Sequence, residues 1–184
     1  MNRAVFPAGG GEYAGITISG YKNEKIMKIA IGSDKSGFAA KEAIKAYLIE
    51  AGVEFDDLGT TDLEKVHPYY QVASEVAPLV QNGTYEKAVL ICGTGAGMSV
   101  VANKYKGVYA VACEGVYSAK MARAINNANV LCMGGWIVGP EMAVEMVKTF
   151  LATAWCQDLE DWRAENMHKF AKQVSAIEDS IYGA

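Results

Sequence analysis

From Met27 onward, short apolar runs alternate with longer stretches whose apolar residues recur at helical spacing. Met27-Lys28-Ile29-Ala30-Ile31 opens the series and ends at Gly32-Ser33-Asp34. Ala39, Ala40, Ile44, Tyr47 and Leu48 follow with helical periodicity, and Gly52 closes that segment. Val53 to Leu58 reads as a second strand ending at Gly59. Val72, Val76, Leu79 and Val80 predict a helix over 70–81 that Asn82-Gly83 breaks. Ala88-Val89-Leu90-Ile91-Cys92 has no polar alternation, the pattern of a strand buried on both faces of a parallel sheet. It runs into Gly93-Thr94-Gly95-Ala96-Gly97 and a helix from about Met98. Val108 to Cys113 and Asn129 to Met133 repeat the strand pattern, with a helix between them and another from about Pro140 to Ala154. Strands alternating with helices predict βαβ units, hence a doubly wound α/β sheet of about five mainly parallel strands.

The tail from about Leu159 is different. Met167, Phe170, Val174, Ile177 and Ile181 stand at spacings of 3, 4, 3 and 4, which predicts an amphipathic helix with a heptad-like seam. Such a stripe packs either on its own sheet or on a second subunit. Residues 1–26 lack any of these patterns and read as an extension. The expected organisation is therefore an extension (1–26), an α/β domain (27–155) and a helical tail (156–184).

Composition narrows the function classes. Of 184 residues, 51% are hydrophobic and 21% charged, which suits one domain with a sizeable core. Seventeen Lys+Arg against 21 Asp+Glu give a net charge of −4, so the overall field does not hold nucleic acid or anionic lipid. No apolar run reaches the ~18–20 residues of a membrane span, and no signal-peptide core is visible; a cytoplasmic protein is expected. The cysteines are Cys92, Cys113, Cys132 and Cys156, without a C-x-x-C, and the histidines are His67 and His168. A metal site would have to be gathered from distant points, so none is expected, and the thiols read as reduced.

In open α/β sheets ligands bind at the carboxyl ends of the strands. Three segments qualify: Ser33 to Gly37, Cys92 to Gly97, and the turn after Cys113. In the second, glycines at alternate positions let backbone N–H groups converge on a phosphate, a carboxylate or a developing enolate. A thiol at the entrance of such a loop, ahead of a helix, is placed where a thiolate is favoured. A cysteine ending an apolar strand is ordinarily a small buried hydrophobe. Cys113, Cys132 and Cys156 are read that way, whereas Cys92 abuts the glycine loop. A dinucleotide site is the competing reading. Gly93-Thr94-Gly95 begins G-x-G-x-x-G and Glu114 lies at a ribose-ligand distance, but Met98 takes the third glycine's place and the loop follows the third strand. No cofactor is expected.

Five segments carry a resemblance: Gly32-Ser33-Asp34-Lys35-Ser36-Gly37-Phe38, Asp57-Leu58-Gly59-Thr60, Ile91-Cys92-Gly93-Thr94-Gly95-Ala96-Gly97-Met98-Ser99, Ala102-Asn103-Lys104 and Asn126-Asn127-Ala128-Asn129-Val130-Leu131. In this order they resemble the ribose-5-phosphate isomerase B and galactose-6-phosphate isomerase subunit family, over about residues 27–155. The resemblance implies a Rossmann-like fold and a metal-free, cofactor-free aldose–ketose isomerase of sugar phosphates. It also implies a homodimer, or dimer of dimers, whose sites combine residues of two subunits. By the same resemblance Cys92 is the base and Thr94 assists proton movement between oxygens. The Gly93, Gly95, Ala96 and Gly97 amides hold the enediolate, Asp34 binds a substrate hydroxyl, and Tyr69 lines the pocket. Ser99 and Asn126 complete the substrate-binding set.

The chain departs from the family in places that bear on the substrate. Lys35 stands where the family has His in its first motif, Ile125 replaces the ring-opening His, and Trp136 replaces an Arg of the fifth strand's loop. Phosphate must then be met by other cations, with Lys35, Arg163, His168, Lys169 and Lys172 as candidates. His67, Lys35 and Glu114 are the local candidates for a substitute acid. These departures leave two further readings: a subunit of a hetero-oligomeric galactose-6-phosphate-type isomerase, and a phospho-sugar-binding module without turnover. They also point to a substrate that is already open, such as a four-carbon sugar phosphate.

Overall fold

A computed structural model describes residues 28–183, and the expected extension 1–26 lies outside these. Five strands form one sheet: β1 (Ile29–Ser33), β2 (Phe55–Asp57), β3 (Lys87–Cys92), β4 (Ala110–Ala112) and β5 (Val130–Gly134). Six helices intervene and follow: α1 (Phe38–Glu50), α2 (Tyr69–Gln81), α3 (Ala96–Ala102), α4 (Val116–Ala124), α5 (Pro140–Ala152) and α6 (Asp161–Tyr182). The strand order is β2-β1-β3-β5-β4 and every pairing is parallel.

The apolar runs without alternation fill both faces of this sheet. Ile29, Ile31, Val89, Ile91, Leu131 and Met133 pack beneath α1, α4 and α5, with Ile44, Ala122, Met146 and Phe150. Ala30, Leu90, Cys92, Val130 and Cys132 turn to the other face and meet Val72, Val76 and Met98 of α2 and α3. Because side chains alternate across a strand, a residue slip would exchange these two cores; apolar chemistry on both sides makes the register a matter of shape.

Two strands are shorter than their sequence runs predict. β2 and β4 are the sheet's edges, paired on one side only, and each stops short of its neighbour: β2 ends at Asp57 opposite Ile31 while β1 runs on to Ser33, and β4 ends at Ala112 opposite Cys132 while β5 runs on to Gly134. β5 lies inside β4 although it comes later in the chain, an order that periodicity does not encode. α3 spans only seven residues, because Asn103 caps it and turns to hold β4 instead. Its side-chain amide donates to the Ala110 carbonyl and its oxygen accepts the Ala110 N–H, both at 2.8 Å.

A buried cation braces the edge. Lys41 is 0% exposed, yet its ammonium donates to Asp57 at 2.6 Å and to the Thr60 carbonyl at 2.6 Å. Lys45 reaches the same carboxylate at 2.8 Å. Burial pushes the Asp57 carboxyl upward, and the hydrogen bonds from Lys41 and Lys45 outweigh it, holding the group below its usual range.

Candidate active site

From β1 the chain moves to β2 on one side and then crosses back past β1 to place β3 on the other, so the direction of winding reverses between β1 and β3. Such a switch point opens a crevice at the carboxyl ends of the two strands. The Asp34–Gly37 turn and the Cys92–Gly97 loop rise on either side of it, and the loop after β5 joins them.

Backbone contacts lock these loops together. The Asp34 N–H donates to the Ile91 carbonyl at 3.1 Å, and the Gly135 N–H donates to the Cys92 carbonyl at 2.7 Å. Trp136 donates its N–H to the Gly93 carbonyl at 3.0 Å. Gly135 is required by this closeness, since a Cβ there would stand 2.3 Å from the Ser36 carbonyl oxygen. Gly95 is required by conformation: its φ is +78°, and this left-handed turn aims its N–H back at the preceding residues. That N–H donates to Cys92 Sγ at 3.1 Å. Cys92 is 5% exposed, and its sulfur sits at the strand end beneath the Gly95 N–H. With α3 only two turns long, the donors here are the loop's own N–H groups rather than a long helix dipole.

Asp34 stands beside this nest. One carboxylate oxygen accepts the N–H groups of Ser36 at 2.8 Å and Gly37 at 3.1 Å, which fixes the turn. Burial raises its carboxyl above the usual value against the pull of those two bonds. Lys35, next in the turn, is exposed. Thr94 and Ala96 are exposed on the loop, while Ser99 lies one turn into α3, its hydroxyl donating to the Ala96 carbonyl at 3.1 Å. Two aromatic rings flank the loop. Tyr69, at the start of α2, packs on Gly97, where a Cβ would meet the ring at 2.8 Å. Trp136 packs the six-membered half of its indole on Gly93, where a Cβ would meet it at 2.7 Å.

The other predicted site residues lie elsewhere in the chain. Asn126 is exposed just before β5 begins, and so belongs to the amino end of the sheet, opposite Cys92. Arg123 shapes its segment by donating to Asn127 Oδ1 at 3.0 Å and to the Ala128 carbonyl at 2.6 Å. Arg163, His168, Lys169 and Lys172 are on α6, which meets that same end: Glu178 accepts the Gly107 N–H at 3.0 Å and the Tyr109 hydroxyl at 2.9 Å. His168 stacks edgewise on Trp155 at 4.2 Å between ring centroids. One chain therefore does not bring Asn126 or the tail cations to the Cys92 loop.

The substitute acids divide similarly. His67 belongs to the segment that Thr60 fixes, its N–H donating to Thr60 Oγ1 at 2.9 Å, and its Nδ1 is buried without a hydrogen-bond partner. Glu114 is exposed after β4, two strands away from β3. Cys113 and Cys132 are buried, with burial pushing both thiols up. Cys156 departs from its reading as a core residue: it is half-buried in the α5–α6 connection with φ +62°. Lys41 is the residue that periodicity missed. It interrupts the apolar stripe of Ala40, Ile44 and Leu48, and a cation on a buried face signals a buried partner.

The chain is similar to known proteins over most of its length. Residues 29–167 match the ribose/galactose isomerase family. A 4-deoxy-4-sulfo-D-erythrose isomerase of Clostridium sp. (strain MSTE9) is 51% identical over 85% of this chain and 98% of its own. Ribose-5-phosphate isomerase B of Escherichia coli (strain K12) is 44% identical over 71% of this chain and 87% of its own. The solved ribose-5-phosphate isomerase B of Clostridium thermocellum superposes with a TM-score of 0.73 at 34% identity, covering 84% of this chain and 99% of its own. With the strand-end thiol, its glycine nest and this match over most of its length, the chain belongs to the ribose/galactose isomerase family and is an aldose–ketose isomerase of the ribose-5-phosphate isomerase B type.

Proposed function

We propose that the enzyme isomerises a short, open-chain sugar bearing a terminal acid group, a four-carbon sulfonate or phosphate, with Cys92 as the base. The observation that carries the substrate is Ile125. A pentose phosphate is mostly a closed ring in water, and opening it needs a proton delivered to the ring oxygen, work suited to an imidazole. Ile125 offers no proton, and it lies with Asn126, Trp155 and Phe170 in a cleft of about 240 Å³ under α6. A four-carbon sugar whose C4 carries sulfonate or phosphate has no free hydroxyl there to close a five-membered ring, so no ring-opening acid is needed. The sulfo-erythrose isomerase with 51% identity supports the same substrate class.

The chemistry follows from the nest. The Cys92 thiolate removes the proton from the carbon beside the aldehyde, and the electron pair moves into an enediolate. The loop's N–H groups stabilise its oxyanion, the largest contribution expected in such a reaction. Thr94 passes a proton between the two oxygens, and Cys92 returns the carbon-bound proton to C1, giving the ketose with no redox partner. Lys35 meets the acid group. A second copy of the chain completes the site by presenting Asn126 and the α6 cations, which a single chain keeps at the far end of its sheet. The exposed seam of Phe170, Val174, Ile177 and Ile181 supports that copy as the partner.

The test is a comparison of kcat/KM for erythrose 4-phosphate, 4-deoxy-4-sulfoerythrose and ribose 5-phosphate, with deuterium incorporation from solvent at the carbon beside the carbonyl. Four-carbon substrates are expected to be preferred and labelled. A ribose 5-phosphate value equal or higher overturns the substrate; binding without label overturns the reaction.

A further inference from the structure

We propose that Trp136 is the specificity-determining residue of this site, a wall that sets the length and breadth of sugar the nest accepts. The inference rests on the four-carbon reading above and deepens it. Trp136 is 74% exposed, although large apolar rings are ordinarily buried, and yet it is held in place. Its N–H donates to the Gly93 carbonyl, and the N–H groups of Ile137 and Val138 both donate to the Gly134 carbonyl at 3.0 and 2.8 Å, so its backbone belongs to a tight turn. Half of its indole is seated on Gly93, the residue after the base. The remainder of the ring is exposed, and the turn carrying Lys35 approaches the same loop, where a Cβ on Gly135 would stand 2.3 Å from the Ser36 carbonyl oxygen.

The position has three consequences. The ring stands beside the reacting carbons and takes volume that a fifth carbon or a furanose ring would need. It carries no charge, so it gives the acid group no partner of its own and leaves that task to cations such as Lys35. Tyr69 packs on Gly97, so an aromatic ring stands against the loop at Gly93 and another at Gly97. An extended four-carbon chain needs less room beside these rings than a puckered furanose does. A steric difference of one methylene is worth about 10–200-fold in discrimination, enough to decide between a tetrose and a pentose.

The experiment measures kcat/KM for erythrose 4-phosphate and ribose 5-phosphate in the wild type, Trp136→Ala and Trp136→Phe. Trp136→Ala is expected to raise the ribose-to-erythrose ratio by at least about tenfold, while Trp136→Phe keeps most of the wild-type preference. A ratio that stays within about twofold in Trp136→Ala overturns the proposal. Binding gives a second readout. With Trp155→Phe and Trp162→Phe in place, the remaining indole emission belongs to Trp136, and saturating erythrose 4-phosphate is expected to shield it from acrylamide. Unchanged quenching overturns the wall. A wild type that favours ribose 5-phosphate while Trp136→Ala still moves the ratio overturns the four-carbon reading and keeps the wall. A wild type that favours the tetrose with an unmoved ratio does the reverse.

Discussion

Cys92 and Lys35 stand on adjacent loops, and substitution separates their duties. Cys92→Ala removes the sulfur that accepts the Gly95 N–H and leaves the backbone bonds of the Gly135 N–H to the Cys92 carbonyl and the Trp136 N–H to the Gly93 carbonyl in place. Turnover is expected to fall by at least ~10²-fold, the usual contribution of a general base, with an unchanged thermal midpoint. Iodoacetate should inactivate the wild type and substrate should protect it. Full activity in Cys92→Ala would move the base elsewhere. Lys35 is exposed, and in the proposed site it meets the substrate's acid group through its charge. Lys35→Ala should raise KM more than it lowers kcat, the signature of lost ground-state binding, and an unchanged KM would remove it from the site.

At the scale of elements, the crevice depends on α1, β2 and the segment 57–69 staying in register. Lys41 ties all three, because its ammonium on α1 bonds both Asp57 in β2 and the Thr60 carbonyl. Thr60 in turn accepts the His67 N–H, two residues before Tyr69. Lys41→Met leaves the half-buried Asp57 with Lys45 and the Gly59 N–H, and its cost is expected near the low end of the about 3–5 kcal/mol that follows removal of one partner from a buried pair. The pH dependence has a definite sign. Asp57 is held below its unfolded value, so the unfolded chain binds the proton more readily in acid. Its stabilisation is complete above the unfolded carboxylate range and disappears as pH falls through the folded value. Asp57→Asn should flatten that acid limb in urea titrations; an equally steep limb would assign it to other carboxylates.

The whole molecule presents a seam that one chain does not cover. Phe170, Val174, Ile177 and Ile181 remain exposed while Glu178 and Lys106 anchor α6 along its edge, the ammonium of Lys106 lying 2.8 Å from the Asp179 carboxylate. A row of large apolar side chains at heptad spacing is costly to leave in water and suits a second copy. If the proposed shared site holds, Phe170→Glu with Ile177→Glu should give a monomer by light scattering, with activity falling in step as Asn126 and the tail cations lose a neighbour's loop to reach. A stable and active monomer at micromolar concentration would refute the shared site.

Much of this was legible in the residues alone. The runs Ile29–Ser33, Lys87–Cys92 and Val130–Gly134 are apolar on both faces, which forces buried parallel strands, and the glycines around Thr94 force a turn of amides after Cys92. These are local consequences of backbone freedom and of hydrophobic pattern, so the fold class and the place of the Cys92 loop could be read from the residues alone. The sheet order, with β5 inside β4, depends on which strands meet in space. So does the placement of Asn126 and the α6 cations at the end of the sheet away from Cys92. Lys41 in the core and Trp136 on Gly93 were likewise decided by the tertiary structure, since each makes sense only beside a partner distant in sequence: Asp57 for the buried cation, the strand-end loop for the exposed ring.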